Sequence, residues 1–207
     1  MSVLLINGSP HPKGCTYTAL SVVASQLQKY GLETTMIQLG TKPIQCCIAC
    51  GKCHDTGHCV FNTDNVNEAI DLLREAEGLV VGSPVYYAGP NGGICSFLDR
   101  MFFLKASHYA CTPAAAVVSC RRGGASASFD RLNKYFTIAR MPVVSSQYWN
   151  SVHGNSPDEV MQDKEGIQTM RTLGDNMAWL IKCIQAGKAA GINPPEPEPW
   201  EPTNFIR

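Results

Sequence analysis

The sequence has no excess of charge of either sign, because its 17 Lys and Arg residues balance its 17 Asp and Glu residues. Proteins that bind nucleic acids or anionic membranes usually carry a basic excess, so neither partner is expected. Long apolar runs are also missing: residues 114–118 and 79–81 fall far below the roughly 20 needed to cross a bilayer. The first residues lack the basic segment and small-residue cleavage site of a signal peptide. We therefore expect a cytoplasmic protein.

Short apolar strands alternate with amphipathic helices along most of the chain. The strands are predicted at residues 3–6, 33–39, 78–82, 113–119 and 141–145. The helices are predicted at residues 16–30, 66–73, 95–104, 129–138 and 163–184. This alternation is typical of a parallel sheet covered by helices on both faces. Five strands with right-handed crossovers favour a flavodoxin-like α/β fold with the strand order 2-1-3-4-5.

A second domain is not indicated, since no internal repeat and no linker interrupts residues 1–187, which we assign to one ligand-binding domain. The chain then becomes rich in proline, including the segment PPEPEPWEP, which does not suit a helix or a sheet interior. We therefore predict an extended tail over residues 188–207. We expect the tail to pack against a neighbouring subunit, because its own short extended segment has too few residues to bury Trp200.

Three loops follow predicted strands and should meet at the carboxyl edge of the sheet, where open parallel sheets bind ligands. Residues 8–16 do not have the spacing of a P-loop or of a GxGxxG turn. Their glycines, their hydroxyls and the N-terminus of the following helix nevertheless suit a phosphate. The alternative is a plain turn in which Thr16 caps the helix. Residues 83–90 carry aromatic side chains that a flat ligand would cover, unless both tyrosines pack on the next helix. Residues 119–124 offer glycines and arginines to an anionic ligand, or leave the arginines solvated.

Two segments carry a resemblance to a known family: LLINGSPHPKGCT at residues 4–16 and VVGSPVYYAGPNGGICSFLDRM at residues 80–101. They resemble the NADPH-dependent FMN reductase family of flavodoxin-like proteins, over about residues 3–141. The resemblance implies FMN as cofactor and places these residues around its phosphate: Ser9, His11, Cys15, Thr16 and Thr18. It places these around the isoalloxazine: Pro84, Val85, Tyr86 and Tyr87, with Ser119, Arg121 and Gly124 opposite. His11 replaces a common arginine and Cys15 a common asparagine or serine, so phosphate affinity should be weaker or more pH-dependent.

Cysteine is abundant, with 10 residues, of which five lie between residues 46 and 59. From Cys47 onward the spacing is C-x2-C-x2-C-x5-C, a compact set of thiols typical of a 4Fe–4S cluster. The motif is similar to that of the iron–sulfur flavoproteins, a branch of the same family. That resemblance makes four cysteines the candidate ligands and leaves Cys46 spare: Cys47, Cys50, Cys53 and Cys59. Reduced thiols, zinc and a disulfide are alternatives, because Ala49 replaces a usual glycine and residues 62–65 replace a usual acidic pair.

The segment after the last predicted strand carries further polar and aromatic side chains: Tyr148, Trp149, Asn150 and His153. They fit either a substrate pocket beside the flavin or packing, including packing at a subunit interface.

Together these patterns predict an FMN-dependent oxidoreductase that takes electrons from NAD(P)H, or from a low-potential carrier if a cluster is present. A quinone, free flavin, another protein or a small oxidant would accept them. No side chain is assigned a catalytic role, because the flavin carries the electrons. A non-enzymatic electron carrier or a thiol redox sensor is the alternative. The family resemblance also favours a homodimer or homotetramer in which the cysteine loop lies nearer a neighbouring subunit's flavin than its own.

Overall fold

The computed structural model describes residues 1–104 and 106–205. The strands within this part are β1 (Ser2–Asn7), β2 (Glu33–Gln38), β3 (Gly78–Tyr86), β4 (Gly89–Pro90), β5 (Ala114–Cys120) and β6 (Ser151–His153). The helices are α1 (Cys15–Lys29), α2 (Cys53–Thr56), α3 (Val66–Glu75), α4 (Gly92–Phe103), α5 (Ala125–Ile138), α6 (Pro157–Gln162) and α7 (Lys164–Ala189). A short 3₁₀ turn spans Ala106–Tyr109.

The sheet runs in the order β2-β1-β3-β5-β6, and neighbouring strands along this path are parallel. The two-residue strand β4 lies off the path and pairs antiparallel with the end of β3. With β4 set aside, this is the predicted order 2-1-3-4-5. The carboxyl ends of β1, β3 and β5 therefore lie side by side, which brings the three candidate loops to one edge.

The prediction of a fifth strand at residues 141–145 is wrong. Val143 forms only an isolated parallel bridge with Ala114, and the strand that pairs with the carboxyl end of β5 is β6. Pro142 has no N–H to donate to a ladder, although its carbonyl accepts a bond from the Ala114 N–H at 2.9 Å. The Ser146 hydroxyl then bonds to the Tyr148 carbonyl at 2.6 Å, which turns the chain away from the sheet. The edge position is thus shared by two short segments.

Both faces of the sheet are buried, as the alternation of side chains along β1 shows. Leu4 and Ile6 pack into the core beneath α3, α4 and α5, whereas Val3 and Leu5 pack into the core beneath α1 and α7. All four are at most 1% exposed, and burial of each such side chain contributes roughly 1.5–3 kcal/mol. Because both faces of β1 are buried in these two cores, its sequence is a continuous apolar run rather than an alternation of apolar and polar residues.

Three helices differ from their predicted bounds by three residues or more: α5 begins at Ala125 rather than at residue 129, and α4 and α7 differ for local reasons. The Asn91 side chain accepts a bond from the Gly93 N–H at 2.6 Å, and this cap starts α4 at Gly92 rather than at residue 95. Helix α7 continues to Ala189, where the Ile192 N–H bonds to the Gly187 carbonyl at 2.9 Å and closes the helix end. The described tail beyond residue 192 has no regular secondary structure, and Trp200 is 88% exposed. No helix in the described ranges combines the length and apolar character needed to span a membrane.

Candidate functional site

The loop between β1 and α1 is held to the sheet by its backbone. The Gly8 N–H donates to the Gly82 carbonyl at 2.8 Å, which ties the start of the loop to β3. The Ser9 hydroxyl accepts a bond from the His11 N–H at 3.1 Å and shapes the following turn. Gly14 precedes α1, and no side chain among the described residues caps this helix. The first-turn amides of α1 therefore remain free for an anion.

A buried pair of hydroxyls joins the first loop to the third. Thr16 and Ser119 are 1% and 4% exposed, and their oxygens lie 2.8 Å apart. Beside them the Cys15 thiol donates to the Gly154 carbonyl at 3.7 Å. Burial raises the pKa of Cys15, so this thiol stays neutral near pH 7. The structure therefore brings Ser9, Cys15, Thr16 and Ser119 to one corner of the sheet edge.

Three other candidates of these loops lie further out. His11 and Arg121 are exposed, and neither forms an ion pair with any described residue. The Thr18 hydroxyl donates to the Gly14 carbonyl at 3.1 Å, one turn back along its own helix. His11 and Arg121 are thus open to a ligand that approaches from solvent, whereas the Thr18 hydroxyl is already engaged.

The second loop is a tight hairpin at the end of β3. Val85 and Tyr86 pair with the two residues of β4, and the turn between them consists of Tyr87 and Ala88, with φ of 50° and 60°. Two left-handed residues define the turn type that normally carries Asn-Gly, and each non-glycine residue there costs about 1–2 kcal/mol. Tyr87 is fully exposed and Tyr86 is 45% exposed, so packing on α4 does not explain them. Pro84, just before them, is half-buried.

Gly124 brings the third loop against this hairpin. Its φ is 90°, a left-handed value that favours glycine. A Cβ at this position would lie 2.6 Å from the Ala88 Cα and 2.8 Å from a Val85 methyl. The second and third loops are thus in direct contact, as the first and third are through Thr16.

These residues fit FMN. A phosphate needs several hydrogen-bond donors and positive potential, which the free amides at the N-terminus of α1 and the Ser9 hydroxyl supply, whereas the Thr16 hydroxyl is already bonded to Ser119. A flat, largely apolar ring system needs an open surface bordered by aromatic and backbone groups. The hairpin at residues 84–88 and the backbone at Gly124 border such a surface.

The four candidate cluster ligands surround a single cavity on the face of the sheet covered by α3 and α4. The cavity is small, with about 20 Å³ of room for the centres of water-sized molecules, and several of the side chains around it are exposed. The cysteines that line it are Cys47, Cys50, Cys53 and Cys59, and the remaining wall consists of Ile48, Gly51, Val60, Phe61, Arg100 and Phe103. Cys46 does not line the cavity, and its sulfur lies 3.3 Å from the Ser96 hydroxyl instead.

The cysteine loop turns around this cavity by means of left-handed residues. Ala49, Gly51 and Gly57 have φ of 51°, 72° and 75°. Ala49 thus adopts the conformation for which a glycine is preferred, at a cost of about 1 kcal/mol. The replacement of the usual glycine by Ala49 is therefore compatible with the loop's path.

The other three cysteines of the set are near enough to Cys53 to act on its pKa. Burial raises the pKa of Cys53, a backbone hydrogen bond lowers it, and the charges of Cys50, Cys59 and Cys47 raise it further. Over the described residues, no three His, Cys, Asp or Glu side chains are close enough to share a single ion. A zinc ion needs its sulfur ligands about 2.3 Å from one centre, whereas a cluster of several atoms holds its ligands further apart. Four thiols around one cavity are the ligand set of a 4Fe–4S cluster, and zinc also binds four thiolates.

Arg100 and Asp64 form a buried ion pair that sequence reasoning did not single out. The Arg100 side chain is fully buried and that of Asp64 is 5% exposed, and the guanidinium contacts both carboxylate oxygens. Burial lowers the pKa of Arg100, but the bonds to Asp64 and Cys59 outweigh burial and raise it, so Arg100 stays charged. The sequence shows Asp99-Arg100 near the end of α4, but Asp64, the residue that pairs with Arg100, lies 36 residues earlier in the chain.

The polar and aromatic residues near the C-terminal end of the sheet do not form one pocket wall. Tyr148 and Trp149 are 59% and 57% exposed, with ring centroids 5.1 Å apart. Asn150 is buried, and its side-chain amide lies 2.7 Å from the Ser146 hydroxyl. His153 is exposed at the end of β6, next to the third loop. Of these residues, only His153 lies at the edge to which the three loops come.

We expect the Thr16→Val substitution to destabilise the FMN-free protein by about 1–3 kcal/mol, because it leaves the buried Ser119 hydroxyl without its partner at nearly constant volume. Urea denaturation measures this change. Thr18→Val is the matched control, since the Thr18 hydroxyl is only partly buried and bonds within its own helix. Equal effects of the two substitutions would show that the Thr16–Ser119 pair does not hold the two loops together.

Comparisons with known proteins agree with this geometry. The family model of the NADPH-dependent FMN reductases matches residues 1–156. An iron–sulfur flavoprotein of Methanocaldococcus jannaschii is 31% identical over 193 residues, which cover 89% of this chain and 100% of that relative. An iron–sulfur flavoprotein of Methanosarcina thermophila is 24% identical over 193 residues, covering 91% and 99% of the two chains. The solved structure of the flavodoxin, WrbA-like protein from Agrobacterium tumefaciens superposes with a TM-score of 0.61 at 14% identity, over 88% of this chain and 97% of that one.

The structural likeness confirms the flavodoxin-like fold, and the sequence matches go further. They run from β1 through β6 and include all three loops and the cysteine motif. They therefore confirm the prediction of an FMN-dependent flavoprotein oxidoreductase. The chain belongs to the NADPH-dependent FMN reductase family.

Proposed function

We propose that this FMN-dependent oxidoreductase also holds a 4Fe–4S cluster and passes electrons between the cluster and FMN. The observation that carries the proposal is the cavity that four thiols share. Its ligands would be Cys47, Cys50, Cys53 and Cys59. The two archaeal relatives are named iron–sulfur flavoproteins, which supports the proposal.

The surroundings of the cavity favour a cluster over a set of reduced thiols. The four thiols border one space together with Ile48, Val60 and Phe103, which are large apolar side chains and themselves exposed. A cluster bound there would cover this apolar surface. An apolar wall with one buried cation, Arg100, suits an anionic cluster, because the cation offsets part of its negative charge.

The residues of this chain that would bind and orient FMN lie at the carboxyl edge of the sheet, where the three loops meet. The α1 amides, including that of Thr16, and the Ser9 hydroxyl would hold the phosphate, while the hairpin and Gly124 would border the ring. When bound, FMN supplies two-electron chemistry with a nicotinamide and one-electron chemistry with a cluster. Arg121 is exposed and outside every ion pair of the described residues, so it is free to attract the phosphates of NAD(P)H.

The position of the cavity along α4 favours an oligomer. Helix α4 begins at Gly92, and Arg100 lies eight residues further along it. The cavity beside Arg100 is therefore about 12 Å along the helix from the carboxyl edge of the sheet, where FMN would bind. The cysteine loop also follows β2, which is an edge strand of the sheet, at the opposite side from β6. We propose a homodimer or homotetramer in which residues 46–59 approach a neighbouring subunit's flavin. An oligomer structure with this loop far from every flavin would contradict that part.

The cellular compartment and the electron donor and acceptor are further parts of this proposal. All ten cysteines are free, a state that a reducing compartment such as the cytoplasm maintains. The donor would be NAD(P)H or a low-potential electron carrier, and the acceptor a small molecule or a second protein.

The content of FMN, iron and acid-labile sulfide after anaerobic purification tests the proposal. We expect about one FMN, about four irons and about four sulfides per chain. FMN without iron would leave an NAD(P)H-dependent reductase with spare thiols and would refute the cluster. About one zinc per chain would refute it as well. A protein that does not bind added FMN would contradict the flavin site itself.

A further inference from the structure

Cys59 is held in place from two sides by side chains outside the cysteine motif. On one side Asn67, in the first turn of α3, brackets the backbone of Cys59. Its side-chain oxygen accepts a bond from the Cys59 N–H at 2.8 Å, and its amide nitrogen donates to the Cys59 carbonyl at 3.0 Å. The backbone of this ligand is therefore fixed to a helix, whereas the exposed Cys50 lies on the loop.

On the other side Arg100 contacts the sulfur of Cys59. The guanidinium Nε lies 3.1 Å from the Cys59 Sγ and donates to it. Arg100 is 2% exposed, so water does not compete for this bond. A buried hydrogen bond from a cation to a sulfur is among the stronger bonds available to a thiolate.

The remaining guanidinium donors fix the direction of that bond. One terminal nitrogen donates to the Gln45 carbonyl at 3.3 Å and to Asp64, and the other donates to the Phe61 carbonyl at 2.9 Å and to Asp64 at 3.1 Å. All five N–H groups of the guanidinium are thus used. The same group ties the start of the cysteine loop, near residue 45, to its end, near residue 64. Nε cannot turn away from Cys59 without breaking these bonds.

We propose that Arg100 is a positioning residue that raises the reduction potential of the cluster through its bond to the Cys59 sulfur, while Asn67 fixes the backbone of the same ligand. The proposal rests on the proposed function, since it needs a cluster on the four cysteines. Hydrogen bonds to ligand sulfurs raise cluster potentials because they stabilise the additional negative charge of the reduced form. Asp64 balances the charge of Arg100, so the bond to sulfur, rather than net charge, is what sets this contribution.

The experiment compares three variants of the full-length protein, each purified anaerobically and titrated by electron paramagnetic resonance. Arg100→Lys keeps the charge but removes the Nε donor, and we expect its cluster to favour the oxidised form about tenfold, a fall of about 59 mV for one electron. Asn67→Ala removes the backbone bracket, and we expect less iron per chain but an unchanged potential for the clusters that form. Arg131→Lys is the control, because Arg131 pairs with the surface residue Asp99 and its hydrogen bonds within the described residues go to Asp99 and Tyr135 rather than to the four candidate ligands.

A second measurement on the unmutated protein covers the case in which Arg100→Lys fails to fold. Protein grown with ¹⁵N-labelled arginine should show a ¹⁵N coupling to the reduced cluster in pulsed electron paramagnetic resonance. An unmutated protein without iron would remove the proposed function and this inference together. An iron-loaded protein without that coupling, or an Arg100→Lys variant with the potential of the unmutated protein, would overturn the inference alone.

Discussion

Replacing Cys50 by serine is expected to reduce bound iron from about four atoms per chain to less than about one. Cys50 lines the cavity from the loop and is exposed, so the substitution removes a ligand without disturbing a packed core. FMN content should be retained, because the residues that fit FMN lie in three other loops. Iron and FMN analysis of the same preparation measures both quantities.

Cys46→Ser is the matched control for this experiment. Cys46 is also exposed and lies in the same loop, but its sulfur lies near the Ser96 hydroxyl and does not line the cavity. We expect the iron content of this variant to equal that of the unmutated protein. If Cys46→Ser loses iron while Cys50→Ser keeps it, the ligand set begins at Cys46 and the assignment made here is wrong.

Replacing Gly124 by alanine is expected to destabilise the protein by on the order of 2 kcal/mol or more and to weaken FMN binding at least about tenfold. An alanine at φ of 90° is strained, and its Cβ would lie 2.6 Å from the backbone of Ala88. The hairpin that borders the flavin must therefore move. Denaturation of the FMN-free protein and fluorescence titration with FMN measure the two effects.

Gly123→Ala separates this steric effect from a general effect of alanine in the loop. A Cβ at Gly123 would have no heavy atom within 4 Å among the described residues. We expect both its stability and its FMN affinity to stay close to those of the unmutated protein. Similar losses in the two variants would mean that contact between the second and third loops does not shape the flavin site.

Local patterns were sufficient to predict most of the fold. Residues 3–6 and 114–118 are apolar at every position, and such runs indicate strands buried on both faces. The alternation of these runs with amphipathic helices then leaves few topologies. The fifth strand could not be located in this way, because residues 141–145 look like a strand until Pro142 and the Ser146 turn are considered together.

The candidate sites, like the fold, could be predicted where the signal is local and could not where it depends on distant residues. Each of the three loops could be identified from its own residues, and their convergence followed from the rule for parallel sheets. The contact of Gly124 with Ala88 and the pairing of Arg100 with Asp64 depend on groups 36 residues apart in each case. A sequence pattern does not encode such distances. The left-handed conformation of Ala49 was likewise visible only as a departure from the family's usual glycine.

Anaerobic reductive titration of the purified protein tests the central claim most directly, because it counts the electrons that each chain accepts. FMN takes two electrons and a 4Fe–4S cluster takes one, so we expect about three electrons per chain and a paramagnetic signal of the reduced cluster. An uptake of about two electrons without any iron signal would contradict the account and leave a flavin reductase with a set of free thiols.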